Sequence, residues 1–196
     1  MPGRWFLLGA ACLCFGSAVC VAAEPERPAL TLQLAKPIGG GGDWAGGALS
    51  GSAALDLPRA ANLSVAVVLG TVRGLGQGSG HSGYEIDSTY LAAGLRYMSP
   101  VERGARMYLL GAVGLLHARL RDEFSYWDSS SVSYDSSLGA TALLAFGVIA
   151  SVPGSRCSFV AEAAYLAPAA DAPGNVGGRV PTQLTLGGGL RVALGR

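Results

Sequence analysis

Six ionisable residues stand out because each falls among small and polar neighbours: Asp56, Arg96, His117, Arg119, Glu162 and Arg191. Two acids and four potential cations suit ion pairing better than bond-breaking chemistry. A catalytic set needs a nucleophile, a base and an acid in mutual reach. Ser88, His117 and Glu123 supply the three residue types, but any serine-rich chain offers such a combination by chance. The two histidines, His81 and His117, are far apart and have no Cys partner, so the chain offers no metal-ligand spacing. The glycine runs at 39–42 and 187–189 are not followed by Gly-Lys-Ser/Thr, so neither is a phosphate loop. We therefore expect no catalytic residue, no cofactor and no metal, and read the six residues as an ionic cluster that the fold must gather.

The elements that would gather them are strands. Apolar residues recur at every second position in eight stretches, the period of a β-strand. Leu30, Leu32 and Leu34 alternate with Thr31, Gln33 and Ala35. Leu49, Gly51, Ala53, Leu55 and Leu57 oppose Ser50, Ser52, Ala54 and Asp56. Leu63, Val65, Val67 and Leu69 oppose Ser64, Ala66, Val68 and Gly70. Leu91, Ala93, Leu95 and Tyr97 oppose Ala92, Gly94 and Arg96. The fifth stretch, 107–121, has an ambiguous apolar middle. Its polar end puts His117, Arg119 and Arg121 on one face, so Tyr108, Leu110, Leu116 and Leu120 take the other. The last three stretches oppose Leu138, Leu144 and Phe146 to Gly139, Thr141 and Ala145; Phe159 and Tyr165 to Ser158 and Glu162; and Leu184, Leu186, Leu190 and Val192 to Thr185, Gly187, Gly189 and Arg191.

The connections between these stretches alternate in length. Those at 57–62, 99–105 and 152–156 are short and carry Pro58, Pro100 and Pro153-Gly154, which are turn residues. Those at 36–47, 74–87, 122–136 and 167–181 are long and rich in Gly, Ser, Asp and aromatics. Strict alternation suits an up-and-down barrel that crosses a membrane, with short turns on one side and longer loops on the other. A Greek-key sandwich has no reason to alternate in this way. In such a barrel the apolar face turns outward to lipid and the small and polar face lines the lumen. Trp44, Tyr84 and Trp127 then fall in or beside the external loops.

Composition agrees. Half of the residues are hydrophobic, 14% are charged, and the net charge is +1, which leaves no basic footprint for nucleic acid. The 30 glycines argue against a helical bundle. At the start, Arg4 precedes an apolar run from Trp5 to Val21, and Val21-Ala22-Ala23 precedes Glu24-Pro25. This reads as a secretory signal peptide, residues 1–23, cleaved before a barrel domain at 24–196. Three of the four cysteines leave with the leader. Cys157, with no His beside it, is expected to be a buried or lipid-facing apolar residue.

The mature chain resembles the small eight-stranded outer-membrane barrels, the OmpA transmembrane domain and OmpX-like group. The resemblance rests on the topology and on Thr185-Leu186-Gly187 with Leu190 and Val192, similar to the C-terminal signal that the barrel assembly machinery reads. This chain ends Leu194-Gly195-Arg196, where the family ends on an aromatic. The resemblance implies an all-β, eight-stranded antiparallel barrel in the bacterial outer membrane, among outer-membrane lipids and lipopolysaccharide, and a monomer. It implies a structural or surface-interaction role through the external loops, in envelope integrity or adhesion. A narrow ion channel and a lipid A-modifying enzyme are the alternatives. The lipid A deacylase pattern sets His, Ser and Asn close together in one strand, and neither histidine here is followed by Asn. Inside the barrel, Glu162 can meet Arg191, and Arg96 can meet Asp56 or Glu162, in the manner of the OmpA ionic plug. The other reading is that these groups are solvated by lumen water.

Overall fold

The computed structural model describes residues 27–40, 48–79, 82–126, 129–173 and 179–195. The signal-peptide stretch 1–23, the proposed start of the barrel domain, Trp44 and Trp127 lie outside the described residues.

Eight strands form in chain order: β1 (Ala29–Gly40), β2 (Leu49–Ala60), β3 (Leu63–Ser79), β4 (Ser82–Met98), β5 (Ala105–Tyr126), β6 (Ser129–Ser151), β7 (Cys157–Pro168) and β8 (Gln183–Ala193). Each pairs antiparallel with the next, and β8 pairs with β1, so the sheet closes on itself. A row of ladder partners shows how it closes. It runs from Gln183 to Leu166, Leu143, Ala112, Gly94, Ala66, Asp56 and Ala29, and returns to β8 at Ala193. The row comes back ten residues below its start, from Gln183 to Ala193. A shear of that size on eight strands requires them to tilt by about 40° and leaves an interior that side chains alone can fill.

The apolar set faces outward. Leu34, Leu69, Leu91, Val113, Leu144, Phe159 and Leu186 are each at least half exposed, while Ala54, Ala66, Ala92, Ala145 and Val160 line the lumen. A soluble protein does not display a continuous apolar belt of this kind. In lipid it is the surface required, and closure satisfies every backbone donor and acceptor along it.

Only β5 departs from the expected phase. Tyr108, Leu110, Leu116, Ala118 and Leu120 point inward and are buried, whereas Leu109, Val113, Leu115, His117 and Arg119 point outward. The strand is 22 residues long, about 55 Å of height at that tilt, against an apolar band of about 25 Å. Its polar end therefore stands above the belt, where an outward side chain need not be apolar. Polarity there carries no information about the face.

The same length corrects two of the long loops. Residues 74–87 and 122–136 are mostly strand: β3 and β4 stay paired from Leu75↔Ile86 to Ser79↔Ser82, and β5 and β6 up to Tyr126↔Ser129. Tyr84 lies within β4, opposite Gln77 and Asp122, rather than in an open loop. The other two long connections lie between β1 and β2 and between β7 and β8. The short turns lie where expected, though Pro58 falls within β2 at a register shift. At the β4–β5 turn, Arg103 and Gly104 both have positive φ and the Glu102↔Ala105 bridge closes around them, the geometry of a two-residue hairpin. Cys157 is exposed at the start of β7, on the outward face it shares with Phe159, so of the two expected positions the buried one is ruled out.

The outward assignment predicts that Leu190→Arg destabilises the barrel by about 2–4 kcal/mol in lipid vesicles. Lumen-facing Ser52→Ala, which loses one hydrogen bond, should cost about 1 kcal/mol. Urea unfolding from vesicles measures both, and equal losses would contradict the orientation. Gly189 is no substitute as the lumen control, since a Cβ there would lie 1.9 Å from the Leu32 carbonyl oxygen.

Candidate functional site

The lumen is built in two storeys. The half nearer the short turns is polar, and Asp56 is its centre. Its carboxylate is fully buried on β2. Oδ2 accepts from Nη1 of Arg96, on β4, and lies 3.4 Å from Nη2 of Arg191, on β8. Between β2 and β4 stands β3, which presents only Ser64 and Ala66 at this level. Those small side chains let the arginine cross over them to reach the acid. Arg96 is 2% exposed, so its partner is needed: a buried guanidinium without a counter-ion carries a penalty of several kcal/mol.

The guanidinium of Arg96 also lies over the ring of Tyr108, 4.7 Å from its centroid. The Tyr108 hydroxyl donates to Glu162 Oε2 at 2.5 Å and accepts from Gln33 Nε2 at 3.4 Å. Ser52 Oγ donates to Gln33 Oε1 at 3.1 Å. The chain of contacts thus runs from Arg191 through Asp56, Arg96 and Tyr108 to Glu162, and on to β1 and β2.

Room for the tyrosine comes from glycine. Tyr108 is the ladder partner of Gly147, and a Cβ there would meet the ring at 2.5 Å. Tyr90, the other lumen tyrosine, stands opposite Gly70, where a Cβ would meet its ring at 2.2 Å. Each ring lies flat against the strand beside it in the space that a side chain would otherwise occupy.

The network holds four of the six expected residues and rearranges their pairing. Asp56, Arg96, Glu162 and Arg191 face the lumen. The Asp56–Arg96 pair is as expected. Glu162 does not serve as the ladder neighbour of Arg191: Glu162 stands opposite Gly187 and Arg191 opposite Ser158, four residues along β8. Arg191 turns to Asp56, and Glu162 takes the tyrosine hydroxyl. His117 and Arg119 do not belong to the cluster. Both are on the outer face of β5, above the apolar belt, and Arg119 stacks over Tyr134 on β6 at 4.4 Å. The sequence does not single out Tyr108 and Gln33. Its pattern puts Tyr108 on the lipid face of β5 with Leu110, Leu116 and Leu120, and the pairing with Gly147 becomes visible only once the register is known.

Pairing and solvation are not exclusive. Asp56 Oδ1, Arg96 Nε, Thr31 Oγ1 and Ser64 Oγ are buried without a protein partner, the kind of atom to which internal water bonds.

The outer storey is mostly apolar, with Ser88, Thr141 and Gln183 buried in it as well. Ile86, Leu116, Leu120, Leu143 and Leu166 fill it from β4 to β7, and the chain between β7 and β8 adds Ala170 and Val180. That segment is tied down over the mouth. Ala169 N donates to Ala140 O, Ser137 Oγ to Asp171 O, and Val180 N to Ala170 O. Ala170 settles against Gly139, where a Cβ would come within 2.5 Å of it. Among the described residues no group of His, Cys, Asp and Glu could hold a metal ion.

No protein-family model and no curated protein matches the chain. Solved structures do. Neisserial surface protein A aligns over 85% of this chain and 97% of its own, with a TM-score of 0.58 and 15% identity. Ail, the attachment invasion locus protein of Yersinia pestis, aligns over 85% of this chain and 99% of its own, with a TM-score of 0.52 and 14% identity. The chain has the fold of the small eight-stranded outer-membrane barrels. The apolar belt, the closed ladder and the small-residue lumen are the physical content of that likeness.

With Asp56 as the shared acid, Asp56→Asn should cost about 3–5 kcal/mol, because two guanidiniums lose their counter-charge in a narrow lumen. Glu162→Gln should cost less, since Glu162 accepts from a neutral hydroxyl. A double-mutant cycle on Asp56 and Arg96 should give a coupling of about 0.5–3 kcal/mol, and one on Glu162 and Arg191 a value near zero. Urea unfolding from vesicles tests all four, and strong coupling of the second pair would refute the assignment.

Proposed function

We propose that the protein is a non-enzymatic barrel of the bacterial outer membrane that carries a surface-interaction platform, reached after export by a cleaved signal peptide and insertion by the barrel assembly machinery. One observation carries the reading: β3–β6 continue as a paired sheet well past the apolar belt, with β5 and β6 in register from Ala105↔Ala150 to Tyr126↔Ser129. Strands of roughly 9–11 residues suffice to cross a membrane. The additional length builds a paired sheet that continues past the belt, and such an ordered backbone suits recognition. Its outward face shows Val132 and Tyr134, each about half exposed or more. Ail is named for attachment and invasion, which supports adhesion as the kind of role.

The alternatives find less support. An ion would have to pass the Arg191–Asp56–Arg96 pairs, the Tyr108 ring and then the storey where Ala170 and Val180 pack. We expect no steady conductance from the protein in planar bilayers. A lipid-modifying enzyme would need a reactive group at the rim, and His117 stands beside Thr89 and Leu138, with neither acid nor serine opposite it.

The platform reading predicts a topology. In a Cys157→Ser background, which removes the exposed native thiol, Ser133→Cys should react with a membrane-impermeant maleimide on intact cells. Ala60→Cys and Gly154→Cys should react only after the envelope is opened. It also predicts a loss of function: a variant with β5–β6 shortened at residues 121–134 should still fold, migrating differently unboiled and boiled, yet lose the adherence that the full-length protein confers on a non-adherent host. Unchanged adherence of the shortened protein would sink the platform role, and labelling in the reverse sense would invert the orientation.

A further inference from the structure

At the short-turn end of the lumen, polar groups of five consecutive strands form one arc of the wall. Thr31 is the ladder partner of Arg191, and Ser64 is the ladder partner of Arg96. Asp56 stands on β2 between these two pairs and diagonal to both: Thr31 faces Ala54 and Ser64 faces Pro58, each two residues from the acid. Across β8, β1, β2, β3 and β4 the arc therefore reads guanidinium, hydroxyl, carboxylate, hydroxyl, guanidinium. We propose that it binds a small oxyanion that still carries a proton, the class to which hydrogen phosphate and bicarbonate belong.

Unmet hydrogen bonds are the first argument. Thr31 Oγ1, Ser64 Oγ, Arg96 Nε and Asp56 Oδ1 are buried without a protein partner. All four residues are at most 2% exposed. A buried donor or acceptor left unmet costs about 1–3 kcal/mol, so four of them in one layer favour a shared guest. Ser64 lies beneath the arm of Arg96, so one guest oxygen can accept from the Ser64 hydroxyl and from the Arg96 Nε–H.

Charge is the second. Among the described residues, three guanidiniums face the lumen at this end, on Arg96, Arg106 and Arg191, against the two carboxylates of Asp56 and Glu162. Arg96 and Arg191 share one oxygen of Asp56, and their like charges repel. Arg106, two residues below Tyr108 on the same face of β5, adds to that repulsion. In a narrow interior of low dielectric an anion relieves it. Arg106 and Arg191 are also the partly exposed members, so a solute entering from the short-turn side meets them first.

The carboxylate selects the guest. Guanidiniums only donate, and an ionised carboxylate only accepts. A halide, nitrate or sulfate accepts from the arginines and hydroxyls but brings no hydrogen to Asp56 Oδ1, and its charge faces that oxygen directly. Hydrogen phosphate and bicarbonate turn an O–H to the acid and keep their other oxygens for the donors. An acceptor that only the protonated guest can satisfy works against every other anion. The narrow barrel limits the guest to a few atoms.

Urea unfolding from vesicles, repeated over a range of anion concentrations at constant ionic strength, tests the site, because a ligand that binds only the folded barrel stabilises it as it saturates. The probes are two isosteric pairs, phosphate against sulfate and bicarbonate against nitrate, at a mildly alkaline pH where the members of each pair carry equal charge. In at least one pair the protonated member should bind at least tenfold more tightly, and the pair that separates gives the size of the guest. Ser64→Ala and Thr31→Val should each weaken that binding at least fivefold. Ser52→Ala, whose hydroxyl already bonds Gln33, should leave it unchanged. Asp56→Asn should abolish the preference within the pair, and if that variant does not fold the two hydroxyl variants decide alone. Equal binding within both pairs overturns the site, as does a preference that survives the loss of both hydroxyls. A barrel indifferent to all four anions, and no less stable with Ser64→Ala, means that water fills the arc and also overturns it.

Discussion

Everything in this molecule follows from closing a sheet inside a solvent that offers no hydrogen bonds. Lipid cannot satisfy an exposed backbone amide, so β8 must return to β1. With eight strands and a shear of ten residues, closure leaves a narrow interior. That narrowness determines what the lumen can contain. Glycine opposite tyrosine at Gly147–Tyr108 and Gly70–Tyr90 is a packing solution to it. So is the use of Ser64 and Ala66 beneath Arg96, since a larger residue on β3 would keep the arginine from Asp56.

The two storeys of the lumen divide the work. The polar one binds strands together that are not neighbours in the ladder: β2 to β4 and β8 through Asp56, and β5 to β7 and β1 through Tyr108. Such contacts resist shearing of the barrel in a way that apolar contacts, which are non-directional, cannot. The apolar storey fills the opposite half, where Ala170 and Val180 from the described ends of the β7–β8 connection pack into it. An interior so filled leaves the outer wall and the projecting sheet as the surfaces available for recognition.

The projecting sheet changes character with height. Along β5 the outward face is lipid-like up to Leu115, then basic from His117 to Arg121. One strand therefore serves three environments: hydrocarbon, headgroup layer and water. Between Leu110 and Leu120 its inner face stays apolar and buried, while Tyr108 below them joins the polar network.

Much of this was legible in the residues. Alternation along Leu30–Leu34 or Leu184–Val192 determines which side meets lipid, because a period-two pattern commits a whole strand to one orientation. Pro100 and Pro153-Gly154 marked turns through backbone chemistry that is local to them. The acid Asp56 and base Arg96 were identifiable as lumen groups because both sit among small residues on strongly alternating strands. What the residues left undecided depends on quantities that are not local. The face of β5 required the height at which the belt ends, which is set by the tilt of the closed barrel. Strand pairing across 74–87 and 122–136 required a partner for polar residues whose own pattern resembles loop. The transfer of Arg191 from Glu162 to Asp56 required the register between β7 and β8, and that is settled only when all eight ladders close together.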